Sequence, residues 1–210
     1  MKLKKKVKRT ILIILIIALL IVCALFVKHT FFDNKEVQET KVLKKIDKYG
    51  YTLKDNKTSK YKKMFEELNE ILTQESVDEE EYVRKITEMF IYDFYSLDSK
   101  ASKTDIGGVD FVHKDVLPNF LVAAEDTYYK YVESNIYNNR QQRLPEVGDI
   151  TIESVNNDSY TIADGDTDDK AYYVKVNWEY TNNAFDKYQT SAELVFVHNG
   201  IRLDLVELQK

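Results

Sequence analysis

The stretch Asp164-Gly-Asp-Thr-Asp-Asp169 places four carboxylates within six positions. Hard cations such as calcium want several oxygen ligands in a short span, so this is the densest candidate for metal chemistry in the chain. An EF-hand loop needs Gly at its sixth position and Glu at its twelfth, where this sequence has Asp169 and Lys175. The stretch also falls between two expected strands rather than two helices. It reads as a solvated turn, with weak incidental calcium binding as the most it would support. The pair Glu125-Asp126 could in principle supply a general acid and a base. Neighbours on a helix diverge by ~100°, however, so the two do not converge on one substrate atom, and a solvated helix face is expected. The three histidines, His29, His113 and His198, are far apart, and the single cysteine, Cys23, lies inside an apolar run. A zinc site is therefore not expected. No serine sits in a nucleophile-elbow setting. The expected chemistry is non-enzymatic, with no catalytic residue, metal or cofactor.

The remaining side chains of interest are aromatic, among them fifteen tyrosines. Phe90, Phe94, Tyr128 and Trp178 are expected to line the inside of a cone-shaped domain and any pocket it holds. Tyr129 and Tyr173 are expected on the outside, where amphipathic aromatics mark contact surfaces. The polar segment Ser96–Asp110, with Gly107 and Gly108 marking a tight turn or close backbone approach, is the second expected contact element, since long loops in compact domains often carry function.

What holds such a domain in place is written at the start of the chain. Seventeen consecutive apolar residues, Ile11 to Val27, follow a ten-residue tail holding Lys2, Lys4, Lys5, Lys6, Lys8 and Arg9 and no acid. As a helix the run spans about 26 Å, close to a bilayer core once Thr10 and the stem of Lys28 extend it. The basic flank stays cytoplasmic, which puts everything after Lys28 outside. A cleaved signal peptide would need a small-x-small site after Val27, where Lys-His-Thr-Phe-Phe stands. Lipidation of Cys23 would need small residues before it, where Ile21-Val22 stand. The basic tail suits anionic headgroups better than nucleic acid, because ten residues build no binding domain. Residues 28–47 are polar and mixed in charge, and read as a stalk, followed by an extracytoplasmic domain over 48–210.

The first thirty residues hold seven of the 30 basic side chains and none of the 35 acids, leaving 23 against 35 and a net of −12 for the rest. A body so acidic does not attract a polyanion. It contains no cysteine and must rest on a packed core. Apolar spacing predicts a helix over Ser59–Gln74 with Tyr61, Met64, Phe65, Leu68, Ile71 and Leu72 inward. A second helix is predicted from a Ser76–Glu79 capping box, with Val83, Ile86, Met89 or Phe90, and Phe94 inward. A third starts near Pro118 and is predicted to run to Asn138-Asn139. From Leu144 the period changes to two. Strands are predicted over Asp149–Val155, Tyr160–Ala163, Ala171–Thr181, Tyr188–His198 and Ile201–Leu208, with turns at Asn156–Ser159 and Asn199-Gly200. This is an α+β class: about three helices on a curved antiparallel sheet of four or more strands.

That order resembles the nuclear transport factor 2-like (cystatin-like) fold. With a basic tail, one membrane helix and a stalk, the whole chain is similar in architecture to the bitopic inner-membrane assembly factor of type IV secretion and conjugation systems. No diagnostic motif carries the likeness, so it implies no site residues. It implies a non-catalytic domain that scaffolds a transport machine; the expected partners of this chain are other bacterial envelope proteins and a second copy of itself. The alternative class is a membrane-tethered sensor or carrier that holds a small ligand inside the cone.

Overall fold

The computed structural model describes residues 40–209 apart from Ala163, Asp164 and Asp186. The basic tail, the apolar run, His29 and the first twelve residues of the expected stalk lie outside that range. Among the described residues no helix is long and apolar enough to cross a membrane.

The elements are β1 (Val42–Ile46), β2 (Tyr51–Lys54), α1 (Ser59–Leu72), α2 (Glu79–Tyr95), α3 (Leu117–Asp126), β3 (Val147–Thr161), β4 (Thr167–Tyr180), β5 (Ser191–Asn199) and β6 (Arg202–Gln209). Among the described residues the class is α+β: three α-helices and a four-stranded antiparallel sheet in the order β3-β4-β5-β6, with β1 and β2 as a separate antiparallel pair. β1 falls inside the segment read as stalk. Its end is drawn into the fold because Ile46, Tyr49 and Tyr51 bury their side chains. Three hydrogen bonds close this seam: Tyr51 Oη lies 2.6 Å from Tyr82 Oη and donates to Leu203 O at 3.2 Å, while Leu203 N donates to Tyr82 Oη at 3.1 Å.

α1 buries the six residues its spacing predicts. Thr58 caps it, accepting from Tyr61 N. α2 starts two residues later than its capping-box pattern predicts. Asp78, rather than Ser76, is the cap, and its Oδ1 accepts from Glu80 N at 2.9 Å and Glu81 N at 3.1 Å. A carboxylate satisfies two free amides there and also meets the positive end of the helix, which a serine does less well. From Met89 to Tyr95 α2 is buried on every side, because α1 packs on one flank and β3 and β4 on another. A helix apolar all round belongs in a core, and this one is its axis.

α3 is shorter than predicted. It ends at Asp126, not at Asn138, and only Ala124 on it is fully buried. Tyr128 and Tyr129 are the reason. On a continuing helix they would point ~100° apart. The break at Thr127 lets both rings reach the core: Tyr128 lies edge-on to Tyr95 at 4.8 Å, and Tyr129 lies 5.5 Å from Phe94.

β3 runs unbroken through Asn156–Ser159, where the sequence predicts a turn. Asn156, Asn157 and Asp158 pair with Tyr173, Tyr172 and Ala171 of β4, and a register shift between Asp158 and Tyr160 absorbs the irregular stretch. Turn preference is local, and ladder hydrogen bonds from a neighbouring strand override it. The chain reverses later, with Ile162 N donating to Asp166 O at 2.8 Å. The last hairpin forms as predicted but one residue on. Asn199 pairs with Arg202, so Gly200 and Ile201 are the loop, with Gly200 at φ 66°. Tyr172, Val174, Val176, Trp178 and Tyr180 of β4 all face the core. On the opposite face Ala171, Val195, Val197 and Val206 form a small second cluster against which Tyr173 packs.

Candidate functional site

The feature best shaped to receive something is a solvent-open cleft of about 480 Å³ between α3 and β6. Its floor is the end of α2, where Phe94 and Tyr95 are buried. One wall is α3 with Val116, Phe120 and Ala123; the other is Leu205–Leu208 of β6. Both ends are tied. At one, His113 N donates to Leu205 O at 2.8 Å, which fixes the lead-in to α3 against the sheet edge. At the other, Tyr128 Oη lies 3.1 Å from Tyr180 Oη, which donates to Gln189 O at 2.8 Å. Pro118 sits in the first turn of α3, where its missing N–H costs nothing. The small side chain of Ala123 leaves the space open along the helix.

The lining is mostly apolar. Phe94 lies 5.3 Å from Phe120 and 5.9 Å from Tyr128, and Tyr95 stacks at 4.3 Å on Trp178 behind it. The polar groups reaching the cleft are Asn119, Thr127, Gln189 and Glu207. Burial raises the pKa of Tyr95, Tyr128 and Tyr180, so all three stay neutral phenols near pH 7. An apolar floor with hydrogen-bonding groups at its margin suits recognition of a partly apolar surface.

The expected site residues scatter. Phe94 and Tyr128 both line the cleft. Trp178 is behind Tyr95, 3% exposed, and its indole Nε1 has no hydrogen-bond partner among the described residues. Phe90 is fully buried against Gly108 and stacks on Phe94 at 5.4 Å. The expected contact residues move inward. Tyr129 is fully buried, Gly107 and Gly108 are buried, and Tyr173 is half-buried. The glycines pack directly on α2: a Cβ on Gly107 would lie 2.0 Å from Asp93 O, and one on Gly108, at φ 73°, 2.6 Å from the Phe90 ring. The Ser96–Asp110 loop is therefore clamped at Lys100 and at its glycine end, while Asp98, Ser99, Ala101, Lys103 and Thr104 stay exposed. Asp93 holds it. Its carboxylate accepts from Lys100 Nζ at 2.7 Å, Lys57 Nζ at 2.6 Å and Gly108 N at 2.8 Å. Burial alone would raise this carboxyl's pKa, but the two ammonium groups outweigh it and hold it well below the usual carboxylate range.

The acidic stretch near residue 168 also takes a structural role. Asp168 Oδ2 lies 2.8 Å from His198 Nδ1 and accepts from His198 N at 2.7 Å, and His198 Nε2 lies 3.4 Å from Glu79 Oε2. Burial pulls the Asp168 carboxyl upward, yet the N–H groups of His198 and Lys170 keep its pKa below the ordinary value. The hydroxyl of Tyr172 donates to Glu79 at 3.0 Å, and burial beside that carboxylate pushes its pKa up to about 12. Among the described residues no group of His, Cys, Asp and Glu could hold a metal ion. His113 is buried near α3, 3.5 Å from Asp115. Glu125 pairs with Lys103 at 2.6 Å, and neither it nor Asp126 lines the cleft.

Sequence periodicity could not show the cleft, because its walls come from residues 94–128 and 189–208 and meet only in the fold. The available signal was a weak one: α3 offers too few large apolar residues to cover the sheet edge beside it. Neither a protein-family model, nor a curated protein, nor a solved structure matches this chain.

Proposed function

We propose that this chain is a single-pass membrane protein whose extracytoplasmic domain is a non-enzymatic interaction module of a bacterial cell-envelope assembly, and that the cleft beside α3 is its contact site. The observation that carries the contact site is the open apolar cleft itself, at which Asn119 and Ala123 of α3 are both lining and exposed. Tyr131, Ile136 and Tyr137, just after α3, are exposed as well. Open apolar surface of this kind marks association sites in soluble domains. The address rests on the basic tail and the apolar run from Ile11 to Val27. Three helices preceding a four-stranded antiparallel sheet support the cystatin-like assignment. Anchoring would raise the domain's effective concentration for other membrane proteins.

The test is a photo-crosslinking residue placed at Asn119, an exposed position on the cleft, in the full chain and activated in native membranes. A discrete crosslinked partner, absent when the probe sits at exposed Asp158 of β3, supports the reading. Identical weak smears from both positions would sink it. The volume of the cleft favours a second reading, since about 480 Å³ lies in the range of small-ligand sites. In that case an apolar small molecule would occupy the cleft, and the probe at residue 119 would yield no crosslinked protein.

A further inference from the structure

Charge is unevenly spread along the folded chain. From Lys41 to Lys63 there are nine lysines and two aspartates, a net of +7, whereas Met64 to Lys210 holds 13 basic and 30 acidic side chains, a net of −17. The basic stretch opens with the β1–β2 hairpin, and the register of that hairpin separates its two faces. Ile46 pairs with Tyr51 and Lys44 with Leu53; Ile46, Tyr51 and Leu53 are buried, so this face is inward. Lys45 pairs with Thr52 and Val42 with Lys54, and this face is outward. The register shift between Val42 and Lys44 extrudes Leu43 as an extra residue. Val42 and Leu43 are 58% and 56% exposed, which is unusual for consecutive aliphatic residues in a strand. Lys41 and Lys48 flank the strand, both exposed.

We infer that the outward face of the β1–β2 hairpin rests on an anionic lipid bilayer, with Lys45 and Lys54 among the headgroups and Val42 and Leu43 at the acyl boundary. The inference rests on the membrane anchorage proposed above. Two facts point to lipid as the occupant. The first is complementarity: an anionic surface attracts the hairpin and repels the acidic remainder, so one field both holds and orients the domain. The second is reach. Twelve residues, 28–39, separate Val27 from the first described residue, and even fully extended they span no more than about 45 Å. The hairpin follows that tether directly, so an anchored chain holds it within that distance of the headgroups, at high effective concentration. Paired exposed aliphatics beside lysines would be poor solvent-facing design but suit an interface where lysine stems and aliphatic side chains sink together.

The experiment uses the full chain with Cys23→Ser, which removes the only cysteine, and Leu43→Cys carrying an environment-sensitive fluorophore. It is reconstituted in nanodiscs of phosphatidylcholine alone or mixed with phosphatidylglycerol. In the anionic discs the label should shift to the blue and be quenched by lipid-borne quenchers. The same label on Asp158→Cys should stay water-like. Both effects should vanish in about 1 M salt, where the screening length falls to about 3 Å, and in the Lys45→Glu/Lys54→Glu variant. An anchored chain whose residue 43 stays wet in anionic discs overturns this inference alone. So does a label equally protected in both lipids, which would mean that a second copy or another protein covers the hairpin. A chain that leaves the discs overturns the anchorage and this inference with it.

Discussion

The hydroxyl of Tyr129 donates to Phe94 O at 2.6 Å and accepts from Gly107 N at 3.0 Å. One side chain thereby satisfies a carbonyl in the last turn of α2 and an amide of the Ser96–Asp110 loop, both away from water. Removing one partner of a buried hydrogen bond leaves the other unpaired, at a cost of about 1–3 kcal/mol. Tyr129→Phe should therefore destabilise the domain by about 2–4 kcal/mol with its fold retained, since two groups are orphaned at once. Urea melts followed by circular dichroism measure this. A loss below about 0.5 kcal/mol, the range of an ordinary surface substitution, would place Tyr129 back on the surface.

Gly107 faces the same junction from the backbone side. An added Cβ would lie 2.0 Å from Asp93 O and 2.7 Å from Lys100 Nζ. The lysine end can move, but the carbonyl belongs to α2 and cannot move without breaking the helix. Gly107→Ala should cost more than Tyr129→Phe, upwards of about 4 kcal/mol, and reduce the yield of folded protein. Gly165 makes the contrast, because a Cβ there meets nothing within 4 Å. Its φ of 99° still strains a side chain, so Gly165→Ala should lower stability only modestly, by about 1 kcal/mol. Thermal melts of the two variants side by side test the ranking.

These two residues also show where sequence reading stops. The stripe on α1, the alternation on β4 and the Asn199 hairpin were legible because each depends on spacing within one element. A helix continued past Asp126 puts Tyr129 outside, whereas the break at Thr127 that turns it inward is set by the core, not by local preference. Gly107 and Gly108 were correctly marked for close backbone approach, but the approach is to Asp93 and Phe90 of this same chain rather than to a partner. Asp93 itself carried no signal. A carboxylate in an apolar stretch of helix is unusual, yet its partners Lys57 and Lys100 lie 36 and 7 residues away, and only the fold brings both to it.

Asp93 sets an acid limit on stability. Its carboxyl pKa is lowered in the fold, so its contribution is fully present above the unfolded value of about 3.9 and is lost as pH falls through the lower folded value. Wild-type stability should fall with pH below about 4. Asp93→Asn leaves Lys100, 3% exposed, without its counter-charge, and breaking a buried pair in this way costs about 3–5 kcal/mol. The variant should be less stable at pH 7 and show a shallower decline in acid, because the group responsible is gone. Denaturant midpoints from pH 3 to pH 8 would reveal it; parallel curves for the two proteins would exclude Asp93 as the titrating group.

The proposed topology makes a simple demand on protease access. In sealed inside-out vesicles the domain would be enclosed and the basic tail outside, so added trypsin should remove only the lysines before Ile11. In right-side-out spheroplasts the same enzyme should reach the sites after Lys28. Immunoblotting against the C-terminal domain distinguishes the two. Digestion of the domain in inside-out vesicles would reverse the orientation expected from the six basic residues at the N-terminus.

The cleft can be closed without touching the core. Ala123 lines it and is exposed, one residue before buried Ala124. A large side chain there has room to lie across Phe120 toward Leu205 and fill the groove from its solvent side. Ala123→Trp should leave the melting temperature nearly unchanged, within the roughly 0.5 kcal/mol of a surface substitution. It should abolish the specific crosslink from Asn119, because a partner that inserts into the cleft meets an occupied site. Phe120→Ala acts from the other direction. It removes a ring that touches Phe90 and Phe94 at 6.1 and 5.3 Å, so it should lower stability by up to about 3 kcal/mol as well as weaken the crosslink. The tryptophan variant therefore separates binding from folding. If it crosslinks as well as wild type while remaining folded, the partner does not enter the cleft, and the exposed side chains after α3 must carry the contact instead.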